Sequence, residues 1–118
     1  MKIKEIAFCC YAVTDIARAR KFYEGVLGLE PTTITGEQWV EYAWGPYALA
    51  IGSSPQWKPS PDGCSAALEV EDFDAAVKEL RDKNVKFRME PYDGPVCKMV
   101  AVFDPDGNTV VIHKRKGL

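Results

Sequence analysis

The chain has 118 residues, 47% of them hydrophobic and 27% charged, which is enough for one globular domain with a real core. Its formal net charge of -2 at pH 7 excludes the basic surface that nucleic acids or anionic membranes attract. No apolar run approaches the roughly 20 residues that cross a bilayer, and the first residues lack a signal-peptide core, so we expect a cytoplasmic protein.

The first half of the chain is predicted to fold as β-α-β-β-β. Residues 6–13 are apolar throughout, which is typical of a strand buried on both faces. Asp15 is a suitable N-cap for a helix over residues 15–27, and Gly28 is placed to end it. Shorter strands are predicted over residues 32–35, 38–44 and 47–51. The apolar stripe of the helix consists of Ala19, Phe22, Tyr23, Val26 and Leu27.

A stretch rich in Pro, Gly and Ser over residues 53–63 predicts a linker, with Trp57 in its middle. It separates two modules, at about 1–52 and 64–118. The second module is predicted to repeat the pattern, with strands over residues 64–70, 85–89, 96–103 and 109–113. Asp72 caps its helix, which covers residues 72–83, and Asn84 can end it.

The last two predicted strands flank the sequence Asp-Pro-Asp-Gly-Asn at residues 104–108, which indicates a closing hairpin. Asp104 and Asn108 can bond their own backbone, Pro105 presets φ, and Gly107 tolerates a positive φ. Asp104 and Asp106 are interpreted as turn formers and not as acid–base catalysts.

The four cysteines are Cys9, Cys10, Cys64 and Cys97, and none forms a CxxC motif. We interpret them as reduced residues that fill apolar space, with a redox or catalytic thiol as the alternative.

Residues in the first half of the chain match residues 57 positions later in the second half. At this offset Val13 matches Val70 and Asp15 matches Asp72, so strand, cap and helix phase repeat together. Ile16 and Phe73, and Ala19 and Ala76, match in the same way. A unit that cannot bury both faces of its sheet alone is expected to pair with a copy of itself, leaving a concave face for ligands.

Three stretches carry a resemblance to a known family: residues 13–29, residues 66–76, and Phe-Asp-Pro-Asp-Gly-Asn at 103–108. Together they resemble the vicinal oxygen chelate superfamily, which includes glyoxalase I, extradiol dioxygenases, fosfomycin-resistance enzymes and bleomycin-resistance proteins. The resemblance implies an α+β fold of paired βαβββ modules, with curled mixed sheets and outer helices. It also implies a homodimer.

Enzymes of this family hold a divalent metal with His and Glu side chains. The resemblance places the four ligand positions at Phe8, Ala50, Ser65 and Val111. None of these is a usual ligand of Zn, Ni, Mn or Fe, so we expect no metal and no cofactor. A shifted site from Glu41, Glu69 and His113 is the alternative. The more ordinary interpretation is that Glu69 and His113 lie near strand ends and meet water.

We therefore expect a small-molecule binding protein of the bleomycin-resistance type, with a partly apolar or aromatic ligand. The alternatives are a metal-dependent enzyme with a rearranged site and a ligand-sensing partner subunit. The tryptophans Trp39, Trp44 and Trp57 belong either to a pocket or to the core and interface, as do Tyr42, Tyr47 and Tyr92. Strand alternation predicts these ligand-binding residues: Phe8, Cys10, Ala50, Trp57, Ser65, Ala67, Val111 and His113.

Overall fold

The computed structural model of the protein describes residues 1–117. The chain divides into two compact units, Met1–Pro59 and a second that begins at Ser60. Each unit contains, among the described residues, one helical segment and one open four-stranded mixed sheet. The predicted α+β architecture of two βαβββ modules is confirmed.

The elements of the first unit are β1 (Cys9–Ala12), α1 (Ile16–Arg20), β2 (Thr33–Thr35), β3 (Trp39–Trp44) and β4 (Tyr47–Gly52). Strand β1 is parallel to β4, and the order of the sheet is β1-β4-β3-β2 with the other pairs antiparallel. Helix α1 continues as a π-helix over Lys21–Val26.

The elements of the second unit are β5 (Ala66–Glu69), α2 (Phe73–Asp82), β6 (Phe87–Asp93), β7 (Cys97–Phe103) and β8 (Thr109–Arg115). This unit repeats the topology of the first, with β5 parallel to β8 and the order β5-β8-β7-β6. The bounds of β1 and β5 differ by the same 57 positions that relate the two halves of the sequence.

Both helices begin as the sequence predicts. The side chains of Asp15 and Asp72 each accept a hydrogen bond at 3.0 Å, from the backbone N–H groups of Arg18 and Ala75 respectively. Each bond satisfies one N–H group that the first turn of a helix leaves without a backbone partner. Gly28 follows the first helix with a φ of 75°, and Asn84 follows the second with a φ of 57°.

The π-helix was not predicted. The backbone N–H of Leu27 bonds the carbonyl of Phe22, five residues earlier, at 3.0 Å. A hydrogen bond to the fifth residue back encloses one more residue than the bond of an α-helix. In this wider turn both Phe22 and Tyr23 are buried, at 6% and 0% exposure. A periodicity of 3.6 residues cannot reveal such a local change, because only one turn departs from it.

The first predicted strand is too long. Strand β1 covers only Cys9–Ala12, and Ile6 is 76% exposed. An apolar run becomes a strand only where a neighbouring strand offers backbone partners, and within its unit β1 pairs only with Leu49–Gly52. The prediction for the cysteines was also wrong in part, since Cys9, Cys10 and Cys64 are exposed.

Strand β6 is longer than predicted and irregular. It runs to Asp93, and its register against β7 shifts between Phe87 and Met89 and again between Met89 and Tyr92. Pro91 lies in the second irregular stretch. An edge strand tolerates a proline there, because the missing N–H is not needed for the ladder.

The predicted closing hairpin is confirmed. One carboxylate oxygen of Asp104 accepts the backbone N–H groups of Asp106 and Asn108, at 2.9 and 2.8 Å. The other oxygen accepts the Asn108 side-chain amide at 2.8 Å, and Gly107 has a φ of 85°. Asp104 and Asn108 are buried, so their role is structural.

The helices in the described part of the chain are too short or too polar to span a membrane.

Candidate functional site

The helix of the first unit identifies the covered face of its sheet. The Tyr23 ring lies between the rings of Tyr11 and Tyr42, with centroid distances of 5.9 and 6.3 Å. Tyr11 pairs with Ile51, and Tyr42 with Leu49. Because side chains alternate along a strand, these residues form the core beneath the helix and their sequence neighbours face the opposite way.

Cys10, Glu41 and Ala50 lie together on the opposite face, which we call the open face of the first sheet. Ala50 is the cross-strand partner of both Cys10 and Glu41, so the three positions are adjacent. The structure thus brings together two of the predicted ligand-binding residues, Cys10 and Ala50. It adds Glu41, which the sequence analysis had considered only as a metal ligand.

Three aromatic side chains cover part of this open face. The Trp39 ring meets the Phe8 ring nearly edge-on, with centroids 5.2 Å apart and an interplanar angle of 79°. It meets the Trp57 ring at 6.3 Å and 65°. We call Phe8, Trp39 and Trp57 the aromatic cluster. Phe8 and Trp57 remain 45% and 47% exposed, whereas Ala50 is fully buried, so the rings and not Ala50 form the accessible surface.

Gly52 explains how Trp57 reaches the sheet from a loop. A Cβ atom at Gly52 would lie 2.7 Å from Cζ3 of Trp57 and 2.9 Å from Cε3 of Trp39. Real side chains do not approach so closely, and only the absence of a Cβ lets both indole rings pack here. Trp57 follows a backbone turn in which its N–H bonds the carbonyl of Ser54 at 3.0 Å.

Glu41 and Cys10 are two polar residues of the open face. The indole N–H of Trp39 donates to Oε2 of Glu41 at 2.8 Å. The Cys10 thiol donates to the backbone carbonyl of Tyr11 at 3.5 Å. Although Cys10 as a whole residue is exposed, partial burial of its sulfur raises the pKa of Cys10 to about 11. The thiol therefore stays protonated near neutral pH and is a poor nucleophile, which argues against a catalytic thiol at this position.

In the second sheet, Ala67 pairs with Val111 and Glu69 with His113. Alternation sends these four side chains to one face, opposite the buried Val110 and Ile112. Ser65 lies just before β5 and is exposed. The structure therefore places Ala67, Val111 and His113 on one face of this sheet, as predicted from strand alternation.

Glu69 and His113 form a bonded pair. Nδ1 of His113 lies 2.6 Å from Oε1 of Glu69, and the backbone N–H of Arg115 donates to Oε2 at 2.7 Å. The Arg115 N–H, followed by the His113 ring, lowers the pKa of Glu69. Both carboxylate oxygens of Glu69 thus have hydrogen-bond partners near the end of the strand, which is where the sequence predicts Glu69 and His113.

The family metal does not fit the residues at the ligand positions that the resemblance implies. Phe8, Ala50 and Val111 carry no lone pair, and a lone Ser65 hydroxyl is a weak ligand for Zn, Ni, Mn or Fe. Residues 1–117 contain no group of three or more His, Cys, Asp or Glu side chains that could hold a metal ion.

The list of predicted ligand-binding residues omits Trp39 and Glu41, although Trp39 was left open as a pocket residue and Glu41 as a metal ligand. The signal was present, because the two residues are two positions apart on a strand and so share a face. What the sequence did not reveal was the register, which sets Glu41 opposite Ala50 and Trp39 opposite Gly52.

Comparison with known proteins agrees with this architecture. A profile of the Glyoxalase/Bleomycin resistance protein/Dioxygenase superfamily matches residues 5–112. The chain belongs to this superfamily. It is 30% identical to the protein YaeR of Escherichia coli (strain K12), over 96% of this chain and 98% of that protein.

Solved structures share the fold at low identity. TnmS3, an antibiotic binding protein from Streptomyces sp. CB03234, superposes with a TM-score of 0.82 at 21% identity, covering 98% of this chain and 99% of that one. A lactoylglutathione lyase from Agrobacterium tumefaciens superposes with a TM-score of 0.76 at 17% identity, covering 96% and 95%. One fold thus supports both a binding protein and an enzyme.

Proposed function

We propose that this protein binds a small, flat, partly apolar or aromatic molecule and does so without the divalent metal of the family's enzymes. The observation that carries the proposal is the aromatic cluster. Phe8, at a family ligand position, contributes a ring instead of a metal donor, and two indole rings continue that surface. Aromatic rings offer flat apolar area with little conformational entropy to lose, which suits a ligand of the same shape.

The proposed ligand contacts lie on the open face of the first sheet and on the face of the second sheet that carries Ala67, Val111 and His113. In the first unit the contacts are Phe8, Cys10 and Trp57, with Ala50 as the buried floor beneath the rings. In the second unit they are Ser65, Ala67, Val111 and His113. Each 100 Å² of apolar area removed from water contributes roughly 2.5 kcal/mol before association costs. A useful affinity therefore needs a ligand with several rings or a long chain.

A matched pair of glycine variants tests the role of the aromatic cluster. Gly52→Ala forces the Trp57 and Trp39 rings apart, whereas an added Cβ at Gly25 meets nothing within 4 Å. A thermal-shift screen of aromatic metabolites and antibiotics supplies the ligand, because binding to the folded state raises stability. We expect Gly52→Ala to weaken binding at least about tenfold, equal to about 1.4 kcal/mol, as followed by tryptophan fluorescence.

The Gly25→Ala variant should bind as the parent does. Equal affinity in both variants, with both folded, would show that the ligand does not use the aromatic cluster. Elemental analysis is the second measurement. About one tightly held metal ion per chain, lost on changing Glu41, Glu69 or His113, would overturn the metal-free part of the proposal and favour an enzyme.

We also propose that the protein is cytoplasmic and forms a homodimer. The first part is supported by the composition and the second by the resemblance to single-pair members of the superfamily.

A further inference from the structure

The carboxylate of Glu41 lacks a cationic partner. Its only hydrogen bond among the described residues is the one from the Trp39 indole to Oε2, and no Lys, Arg or His of residues 1–117 pairs with it. The side chain is partly buried beside the aromatic cluster. A carboxylate removed from water without a countercharge carries a free-energy penalty that a bound cation would relieve.

The neighbouring positions on the open face add no positive charge. Across the strands, Glu41 lies between Thr33 and Ala50, and Trp39 lies between Thr35 and Gly52. All four of these neighbours are neutral. The negative charge of Glu41 is therefore not offset by the strands on either side of it.

The aromatic rings complement such a charge. The Phe8 and Trp57 rings stand at 79° and 65° to the Trp39 ring, so their planes form walls with different orientations. The negative face of an aromatic ring attracts a cation within about 6 Å of its centroid, and indole does so most strongly. Three rings with one carboxylate are a combination that recognises organic cations.

We propose that the ligand of this surface is an organic cation. Its charge is carried either by a quaternary ammonium group attached to a flat ring or by a flat heteroaromatic ring that is itself cationic. The inference rests on the proposed function, which it extends by assigning the charge of the ligand. Glu41 supplies the countercharge, and Phe8, Trp39 and Trp57 supply the ring faces.

Two probes of similar shape and different charge test the inference. N-methylquinolinium is cationic, whereas 1-methyl-2-quinolone keeps the ring system and the N-methyl group without the charge. The indole N–H resonance of Trp39 in a ¹⁵N-labelled sample reports binding at Glu41 directly. We expect the parent protein to bind the cation about tenfold more tightly than the neutral probe.

Glu41→Gln keeps an oxygen that can accept the Trp39 indole N–H but removes the charge, and it should reduce the preference to within about twofold. Glu37→Gln removes the same charge from an exposed turn and should leave the preference unchanged. Trp57→Leu gives a second test that leaves the carboxylate intact. Because Trp57 is an exposed loop residue, we expect this variant to fold and to lose affinity for the cation more than for the neutral probe.

The outcomes separate the two proposals. Equal binding of both probes by the parent protein would overturn the cation assignment while the proposed function stands. A preference that persists in Glu41→Gln would show that Glu41 is not the countercharge. If neither probe shifts the Trp39 resonance at about 10 mM, a concentration that would reveal even millimolar affinity, the proposed function fails and the inference fails with it.

Discussion

At the scale of single residues, the closing hairpin contains a buried set of hydrogen bonds. Asp104 is acceptor for two backbone N–H groups and for the Asn108 amide, while Oδ1 of Asn108 accepts the backbone N–H of Ser60 at 3.0 Å. Both side chains are buried. Removing an acceptor here leaves donors that water cannot reach, which is more harmful than losing an exposed bond.

Exchanging the two residues tests this arrangement. Asp104→Asn sets two amide donors against each other and is expected to lower the free energy of unfolding by about 1–3 kcal/mol. The double variant Asp104→Asn/Asn108→Asp reverses donor and acceptor and should recover most of that loss. Urea unfolding measures all four proteins of the cycle. If the double variant loses as much stability as the two single variants lose together, the two residues act independently.

At the scale of elements, the two helices start with the same device at equivalent places in the repeat. Asp15 and Asp72 both have extended backbone, with φ of -143° and -123°, and both cap through one carboxylate oxygen. The helices then diverge, because only the first continues as a π-helix. The start of each helix is thus a local property, whereas its later course differs between the units.

Removing the cap of the second helix measures that local property. Asp72→Ala is expected to lower the free energy of unfolding by about 1 kcal/mol, because the Ala75 N–H loses its acceptor. Asp72→Asn retains a side-chain oxygen and should stay within a few tenths of the parent. Chemical denaturation followed by circular dichroism distinguishes the two variants. Equal losses of stability in Asp72→Ala and Asp72→Asn would show that the charge of Asp72, and not its hydrogen bond, stabilises the helix.

At the scale of the whole molecule, several carboxylates contribute to stability in a pH-dependent way. The Arg20 guanidinium, which bonds Glu24 at 2.6 Å, lowers the pKa of that carboxyl, and the Tyr42 hydroxyl also donates to it at 2.9 Å. The pKa values of Glu69 and Asp93 are lowered as well, by the Arg115 N–H and the Lys116 ammonium.

A lowered pKa in the folded state fixes the sign of the effect. Each group stabilises the fold above its ordinary pKa, 4.5 for Glu and 3.8 for Asp, and this contribution is lost as pH falls through the lower folded value. We expect the urea midpoint to fall as the solution is acidified below pH 4.5. Glu24→Gln should be about 1 kcal/mol less stable at neutral pH, and the difference should shrink in acid. Glu30→Gln, at an exposed position, is the control.

The proposed homodimer is a second property of the whole molecule. Ile3, Ile6 and Val96 are 74%, 76% and 72% exposed, and a partner surface that covered any of them would remove apolar area from water. Sedimentation is expected to give twice the chain mass of 13.1 kDa, with a symmetric interface. A monomer at a few tens of micromolar and physiological salt would contradict the dimer.

The repeat, the helix caps and the hairpin turn could be predicted from the sequence. Their causes are local, since Asp15, Asp72 and Asp104 all bond groups within four residues. The superfamily could also be recognised, because its motifs lie in these local segments. Strand alternation predicted the faces of Cys10, Ala50, Ala67 and Val111, since alternation needs only the position in the strand, and their contact with a ligand stays a prediction.

The tertiary structure alone decided the rest. Phe8, Trp39 and Trp57 meet because the register of β3 against β4 sets Trp39 opposite Gly52, where no Cβ blocks the rings. Whether a Lys or Arg side chain lies beside Glu41, whether residues before Cys9 form a strand, and where the π-helix turn falls also depend on partners distant in sequence. Contacts across such distances are selected by packing and hydrogen bonding in the folded chain, and no spacing of neighbouring residues encodes them.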